Sequence, residues 1–192
     1  TAGSIELDGK ELIGKNVKQV LDLGVGFVPE DRTEDGLVAE FTIAENLMLD
    51  RSDRKPFAKG ISLQLDFLKK FAQEKLKQFD IRAQGIDSTA SQLSGGNQQK
   101  VVLARELSRE LRLLVASQPT RGLDVGSIEF VHEQIVATRD SGIPVLIVAT
   151  ELDEATQLGD RIAVMYRGKV VGVVPSNTSR SVLGQMMAGI SA

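Results

Sequence analysis

Cysteine is absent from the 192 residues, which excludes a disulfide framework, a thiolate zinc site and a cysteine nucleophile. The chain has one histidine, His132, so no metal site can be assembled from several imidazoles. Long apolar runs are missing as well. The longest with strand character, Ile143 to Ala149, falls far short of the ~20 residues that span a bilayer. The N-terminus shows no basic segment leading into an apolar one, as a secretory signal would. These absences imply the cytoplasm. A large excess of charge of one sign is lacking too, since 23 Lys and Arg stand against 26 Asp and Glu, a formal net charge of -3. Binding a nucleic-acid backbone needs a concentrated positive field, so this balance argues against a dedicated nucleic-acid partner. What remains, 42% hydrophobic and 26% charged residues, is the composition of a soluble globular protein of one domain with a substantial core.

Three regions differ in texture, with no internal repeat or low-complexity tract. Residues 1–29 are a strand-rich opening. A short strand pattern from Ser4 to Leu7 runs into Asp8-Gly9, a short helix pattern covers Asn16 to Leu23, and the strand Val25 to Val28 stops at Pro29. Residues 30–92 carry helical spacing, at Ile43 and Leu47 and then at Leu63, Phe67, Leu68, Phe71, Leu76 and Phe79, with Thr42 as a cap and Lys55-Pro56 as a break. They predict a separate small helical layer. Residues 93–192 alternate between types: helix Asn97 to Arg109, buried strand Leu113 to Ala116, helix Ile128 to Asp140, buried strand Val145 to Ala149, helix Asp153 to Leu158. Alternation with apolar strands predicts an α/β fold whose parallel sheet is covered on both faces. Ile162 to Tyr166 and Val170 to Val174, joined by Arg167-Gly168-Lys169, predict a β-hairpin, and Val182 to Met187 a terminal helix.

Two segments carry chemistry. Leu93-Ser94-Gly95-Gly96-Asn97-Gln98-Gln99-Lys100 sets a hydroxyl and two glycines directly before a helix. Free backbone N–H groups and the positive end of the helix dipole then point the same way, which makes a phosphate cradle. Taken alone the octet also reads as an ordinary serine cap with a glycine turn. The second segment, Pro119-Thr120-Arg121-Gly122-Leu123-Asp124, follows the strand Leu113 to Ala116, and strand ends are where α/β sheets place their ligands.

Together these segments resemble the nucleotide-binding domain of ATP-binding-cassette (ABC) transporters, a P-loop NTPase fold. LSGGNQQK is similar to the family signature, and LLVASQPTRGLD to the Walker B strand running into the D-loop. Asn97, where most of the family has Gln, together with Val28-Pro29-Glu30-Asp31-Arg32 and Thr120-Arg121-Gly122-Leu123-Asp124, resembles the simple-sugar and nucleoside importers. Their ATPase subunit fuses two such domains, and the match is to the second. The resemblance implies a partial ABC-type domain spanning 1–192, with a parallel sheet, an inserted helical subdomain and a C-terminal hairpin.

Departures from the family pattern carry information of their own. A phosphate-wrapping loop GxxxxGK[ST] has one near match, Gly9 to Asn16, in which Asn16 replaces the required hydroxyl residue. A bare glycine–lysine spacing reads as a decoy. Thr1 to Ile5 resembles the segment just after that loop's helix, so the loop is expected upstream of Thr1. The Asp-Glu pair that holds Mg²⁺ and polarises water is replaced by Ser117 and Gln118. Serine is a poor hard-cation ligand, glutamine cannot accept a proton, and loss of a base alone costs about 10²–10⁴ in rate. Thr150 stands where the family has its switch histidine, and Glu30 where it has the Q-loop glutamine. The resemblance therefore implies no intact catalytic set in the chain and no metal site of its own.

It implies instead that Ser94, Gly95, Gly96, Asn97 and Asp124 contact an ATP, with its Mg²⁺, held mainly by a partner cassette. The partners so implied are a second nucleotide-binding domain in the same polypeptide and membrane permease subunits, which would place the domain at the inner face of the cell membrane. Without the loop's strand in the sheet, self-association of the chain is expected. A non-catalytic structural or regulatory module, or a non-transport ABC ATPase acting on nucleic acid, are the alternatives. His132 reads as a surface or satisfied histidine, and Asp153, Glu154 and Asp160 as helix-start and loop acids.

Overall fold

A computed structural model describes residues 3–190. The opening is a small antiparallel hairpin, β1 (Glu6–Leu7) with β2 (Lys10–Glu11). Asp8-Gly9 forms its turn, with φ of 50° and 73°, the left-handed region that such turns require. A short helix, α1 (Val17–Asp22), is capped reciprocally by Asn16 and Gln19. The Gly9–Asn16 stretch is thus divided between a strand and a helix cap, and no continuous loop is left to wrap phosphates.

The central sheet has three parallel strands. β3 (Val25–Val28) pairs with β6 (Leu113–Ser117), and β6 pairs with β7 (Val145–Val148). On one face Val28, Leu114 and Ala116 are fully buried. They pack in one hydrophobic core with Val101, Val102 and Leu103 of α4 (Gly95–Leu107) and Val131 and Ile135 of α5 (Val125–Asp140). The opposite face departs from the sequence expectation of cover on both sides. Phe27, Leu146 and Val148 remain 45%, 55% and 50% exposed, because among the described residues no helix packs there. β7, expected to be buried, is an edge strand with alternating exposure.

The stretch 30–92 contains helices α2 (Ile43–Met48) and α3 (Leu65–Gln78), but also a wide turn at Arg32–Gly36 and a second small hairpin, β4 (Ala58–Lys59) with β5 (Ser62–Leu63). Helix α2 begins with a Thr42–Glu45 capping box. Its apolar face, Ile43, Ala44 and Leu47, shares the core of the central sheet, as do Leu68 and Ala72 of α3. The helical layer is therefore continuous with that core. Beyond α6 (Leu152–Leu158), β8 (Arg161–Tyr166) and β9 (Lys169–Pro175) form the expected antiparallel hairpin. The last helix, α7 (Arg180–Met187), packs Leu183 and Met186 against Val164 in a second, smaller core.

Candidate functional site

Ser94 caps α4, and its φ of -63° and ψ of 156° hold it outside the helix. Its Oγ accepts hydrogen bonds from Asn97 Nδ2 at 2.9 Å and from the Asn97 amide at 3.5 Å. With its acceptor capacity used inward, the hydroxyl proton is free to be donated outward. Asn97 is pinned in turn, since its Oδ1 accepts from the Arg82 amide at 2.8 Å. The amides of Gly95 and Gly96 lie in the first turn, where no intrahelical carbonyl can reach them. The helix starts two residues before the Asn97 that the sequence suggested, so both glycines belong to it.

The second segment docks directly against this turn. A Cβ on Gly96 would collide with Ser127 Oγ and stand 3.0 Å from Ser127 Cβ and 3.3 Å from an Asp124 oxygen. Only glycine allows so close an approach of α4 to the start of α5. Asp124 is the cap of α5, accepting from Ser127 Oγ at 2.7 Å and from the Ser127 amide at 3.0 Å. The Ser127 hydroxyl, then its amide and neighbouring backbone amides, hold the Asp124 carboxyl below the usual aspartate range. Gln99, almost fully buried, ties the two segments together from beneath by donating to the Pro119 carbonyl at 2.7 Å. Ser94, Gly95, Gly96, Asn97 and Asp124 therefore share one surface, built from two adjoining helix N-termini.

Ser117, Gln118, Thr150 and Glu30 lie toward the C-terminal end of the sheet. Ser117 ends β6 and pairs with Val148 of β7. Gln118 takes a left-handed φ of 44°, its amide donates to the Val148 carbonyl at 2.7 Å, and its Oε1 accepts from Thr150 Oγ1 at 3.3 Å. Glu30, two residues beyond β3, pairs with Arg121. Ser117, Gln118 and Thr150 bring neither a carboxylate nor an imidazole to this cluster, and among the described residues no group of three or more His, Cys, Asp or Glu is placed to hold a metal. These side chains do not fit a Mg²⁺. His132 faces Glu154 Oε1 at 3.4 Å, and the same oxygen accepts from Thr120 Oγ1 at 2.7 Å. This polar cluster joins α5, α6 and the loop after β6.

Three residues of the quoted motifs make contacts that escaped the sequence. Arg32, Gln99 and Arg121 all contact the motif segments, but their partners lie 20 to 91 positions away. No local pattern announces such contacts.

The helix N-terminus at Ser94 abuts the Asp124 cap of α5 beside a parallel α/β sheet. The family profile described as "ABC transporter" matches residues 1–121, and the chain belongs to that family. It is 44% identical over 189 residues to the nucleoside import ATP-binding protein NupA of Lactococcus lactis subsp. cremoris, covering 98% of this chain and 37% of that protein. It is 42% identical over 190 residues to the guanosine import ATP-binding protein NupO of Bacillus subtilis, with the same coverage of each. Against the glucose import ATP-binding protein TsgD13 of Haloferax volcanii it is 40% identical, over 98% of this chain and 35% of that one. The chain thus spans about a third of the length of these curated relatives. Among solved structures it superposes on the dimeric ATP-binding cassette MJ0796 bound to ADP and Pi with a TM-score of 0.76 at 24% identity, covering 93% of this chain and 75% of that one. The fold is that of an ABC ATPase. No helix of the described residues is long and apolar enough to cross a membrane.

Proposed function

We propose that this chain serves in the ATP-driving subunit of an importer for nucleosides or simple sugars, as the domain that lends its signature to a nucleotide held by a partner cassette. The observation that carries this reading is an asymmetry. The Ser94–Asn97 turn and Asp124 are intact and adjoin each other, while Ser117, Gln118 and Thr150 lack the groups that would hold Mg²⁺ or activate water. A triphosphate fits the intact side, where a free hydroxyl proton, unsatisfied amides and the positive end of α4 favour an anion. Mg²⁺ would then belong with the partner's carboxylates. Relatives named for nucleoside, guanosine and glucose import support the transport class. A second cassette in the same polypeptide, permease subunits and a position at the inner face of the membrane follow from that class.

Two substitutions in the assembled importer test the reading. Ser94→Arg puts a long side chain where the phosphate must approach, and is expected to lower transport-coupled ATP hydrolysis by about 10²–10³, the scale of losing a phosphate-stabilising donor. Gln118→Ala is expected to leave most turnover intact at matched folded-protein levels. Hydrolysis stopped by Gln118→Ala and untouched by Ser94→Arg would reverse the two roles.

A further inference from the structure

The loop that carries Glu30 also reaches back to the signature helix. Arg32, the first residue of the wide turn, lays its guanidinium over the first residue of α4. A Cβ on Gly95 would stand 2.5 Å from Arg32 Nη2 and 3.2 Å from its Cζ. Arg32 Nη1 donates to the Arg121 carbonyl at 3.1 Å, and the Arg121 side chain pairs with Glu30. Arg32 Nε is buried with no acceptor. Three segments far apart in sequence, the loop after β3, the loop before α5 and the N-terminus of α4, are thus closed into one circuit.

Electrostatics alone does not explain the placement. A cation beside the positive end of a helix is disfavoured, and an unsatisfied buried Nε adds to the cost. What holds Arg32 in place is the flat contact that a glycine at position 95 permits and the bond to the Arg121 carbonyl. The outer Glu30–Arg121 pair is exposed on both sides, so it contributes little stability by itself. Its value is connectivity, since the group that pairs with Arg121 is the side chain at the Q-loop position. In this chain that position is thereby tied to the N-terminus of α4 through protein contacts alone.

We propose that Arg32 is a positioning residue that braces the start of α4 against the loop before α5, so that movement of the Glu30 loop reaches the signature without nucleotide bound to this chain. The use made of the signature rests on the function proposed above; the brace itself does not, and it can be tested without ATP.

The test is amide hydrogen exchange on the chain. Arg32→Ala is expected to speed exchange at Gln98 and Leu123, whose amides donate to the Ser94 and Thr120 carbonyls, by about tenfold, the loss of one charge-assisted contact, while Val131 and Ile135 in the core of α5 keep their wild-type rates. Gly95→Ala attacks the contact from the other side, by displacing the guanidinium, and is expected to act on the same amides. Glu30→Gln should speed Gln98 by about threefold in the wild-type background and have no further effect beside Arg32→Ala, the non-additivity of coupled residues. Unchanged exchange at Gln98 and Leu123 in both single variants overturns the proposal, as does a rise spread evenly over the whole core or a Glu30 effect that adds fully to that of Arg32. Should Arg32→Ala fail to fold, Gly95→Ala alone, with Glu30→Gln added to it, decides by the same outcomes. If the exchange results hold while Ser94→Arg leaves hydrolysis untouched, the brace stands and the donor role falls.

Discussion

At the scale of single residues, the site is written in hydrogen bonds that orient one group through another. Asp124 is the clearest case, because the Ser127 hydroxyl and several backbone amides favour its charged form. Its folded-state value lies below that of an unfolded aspartate, so the cap is intact above about pH 3.9 and is lost only as pH falls through the lower folded value. A carboxyl-carbon NMR titration is expected to place the Asp124 midpoint below the ordinary aspartate value, and Ser127→Ala to move it upward. A midpoint that ignores Ser127→Ala would remove the hydroxyl as the cause. Ser94 as a cap was legible, since a serine before two glycines has few other uses at a helix start. Asn97 as the partner that turns the Ser94 hydroxyl outward was not, because the sequence places the two residues on one turn without saying which atom of the amide faces which.

At the scale of elements, buried polar side chains decide where helices begin and what they hold. Asn46 of α2 is fully buried. Its Nδ2 donates to the Val38, Phe41 and Thr42 carbonyls, and its Oδ1 accepts from the Val38 amide at 2.8 Å. The three carbonyls each keep a backbone donor, from Phe41, Ala90 and Asn46 itself, so Asn46→Ala would strand chiefly the Val38 amide, and is expected to cost about 2 kcal/mol in denaturant unfolding. A cost below ~0.5 kcal/mol would mean that water reaches the vacated space. Nothing in the spacing of Ile43 and Leu47 marked Asn46 as structural. Periodicity identified the helix by its apolar face, whereas Asn46 serves the loop preceding it. The same limit explains the start of α4. Glycine has poor helix propensity, which argues for a start at Asn97, but the Ser94 cap and the close approach of Gly96 to α5 outweigh it. The β4–β5 hairpin went unread because strands of two residues carry no usable alternation.

At the scale of the whole molecule, a parallel sheet and the closing hairpin were legible, because apolar strands separated by helical periods admit few other arrangements, whereas the order β3-β6-β7 was not. The covering of the sheet was not. An all-apolar strand such as Val145–Val148 is suited to burial, yet its sequence does not say what will bury it. Among the described residues Leu146 and Val148 stand uncovered beside Phe27, and β7 pairs on one side only. An unpaired strand edge beside an exposed apolar face is a template for association with another copy. The chain is therefore expected to self-associate, with a weight-average sedimentation coefficient that rises with concentration. Val148→Lys puts a charge on that edge and face at a position already half exposed, so it is expected to change stability by no more than about 0.5 kcal/mol. If the β7 edge is the contact, this variant should sediment as a monomer at concentrations where the wild type does not, with an unchanged melting temperature. Ile61→Lys, on the fully exposed turn between β4 and β5, is the matched control and should associate like the wild type. A wild-type chain that stays monomeric throughout, or a Val148→Lys variant that associates as strongly, would show that the open edge is not the contact.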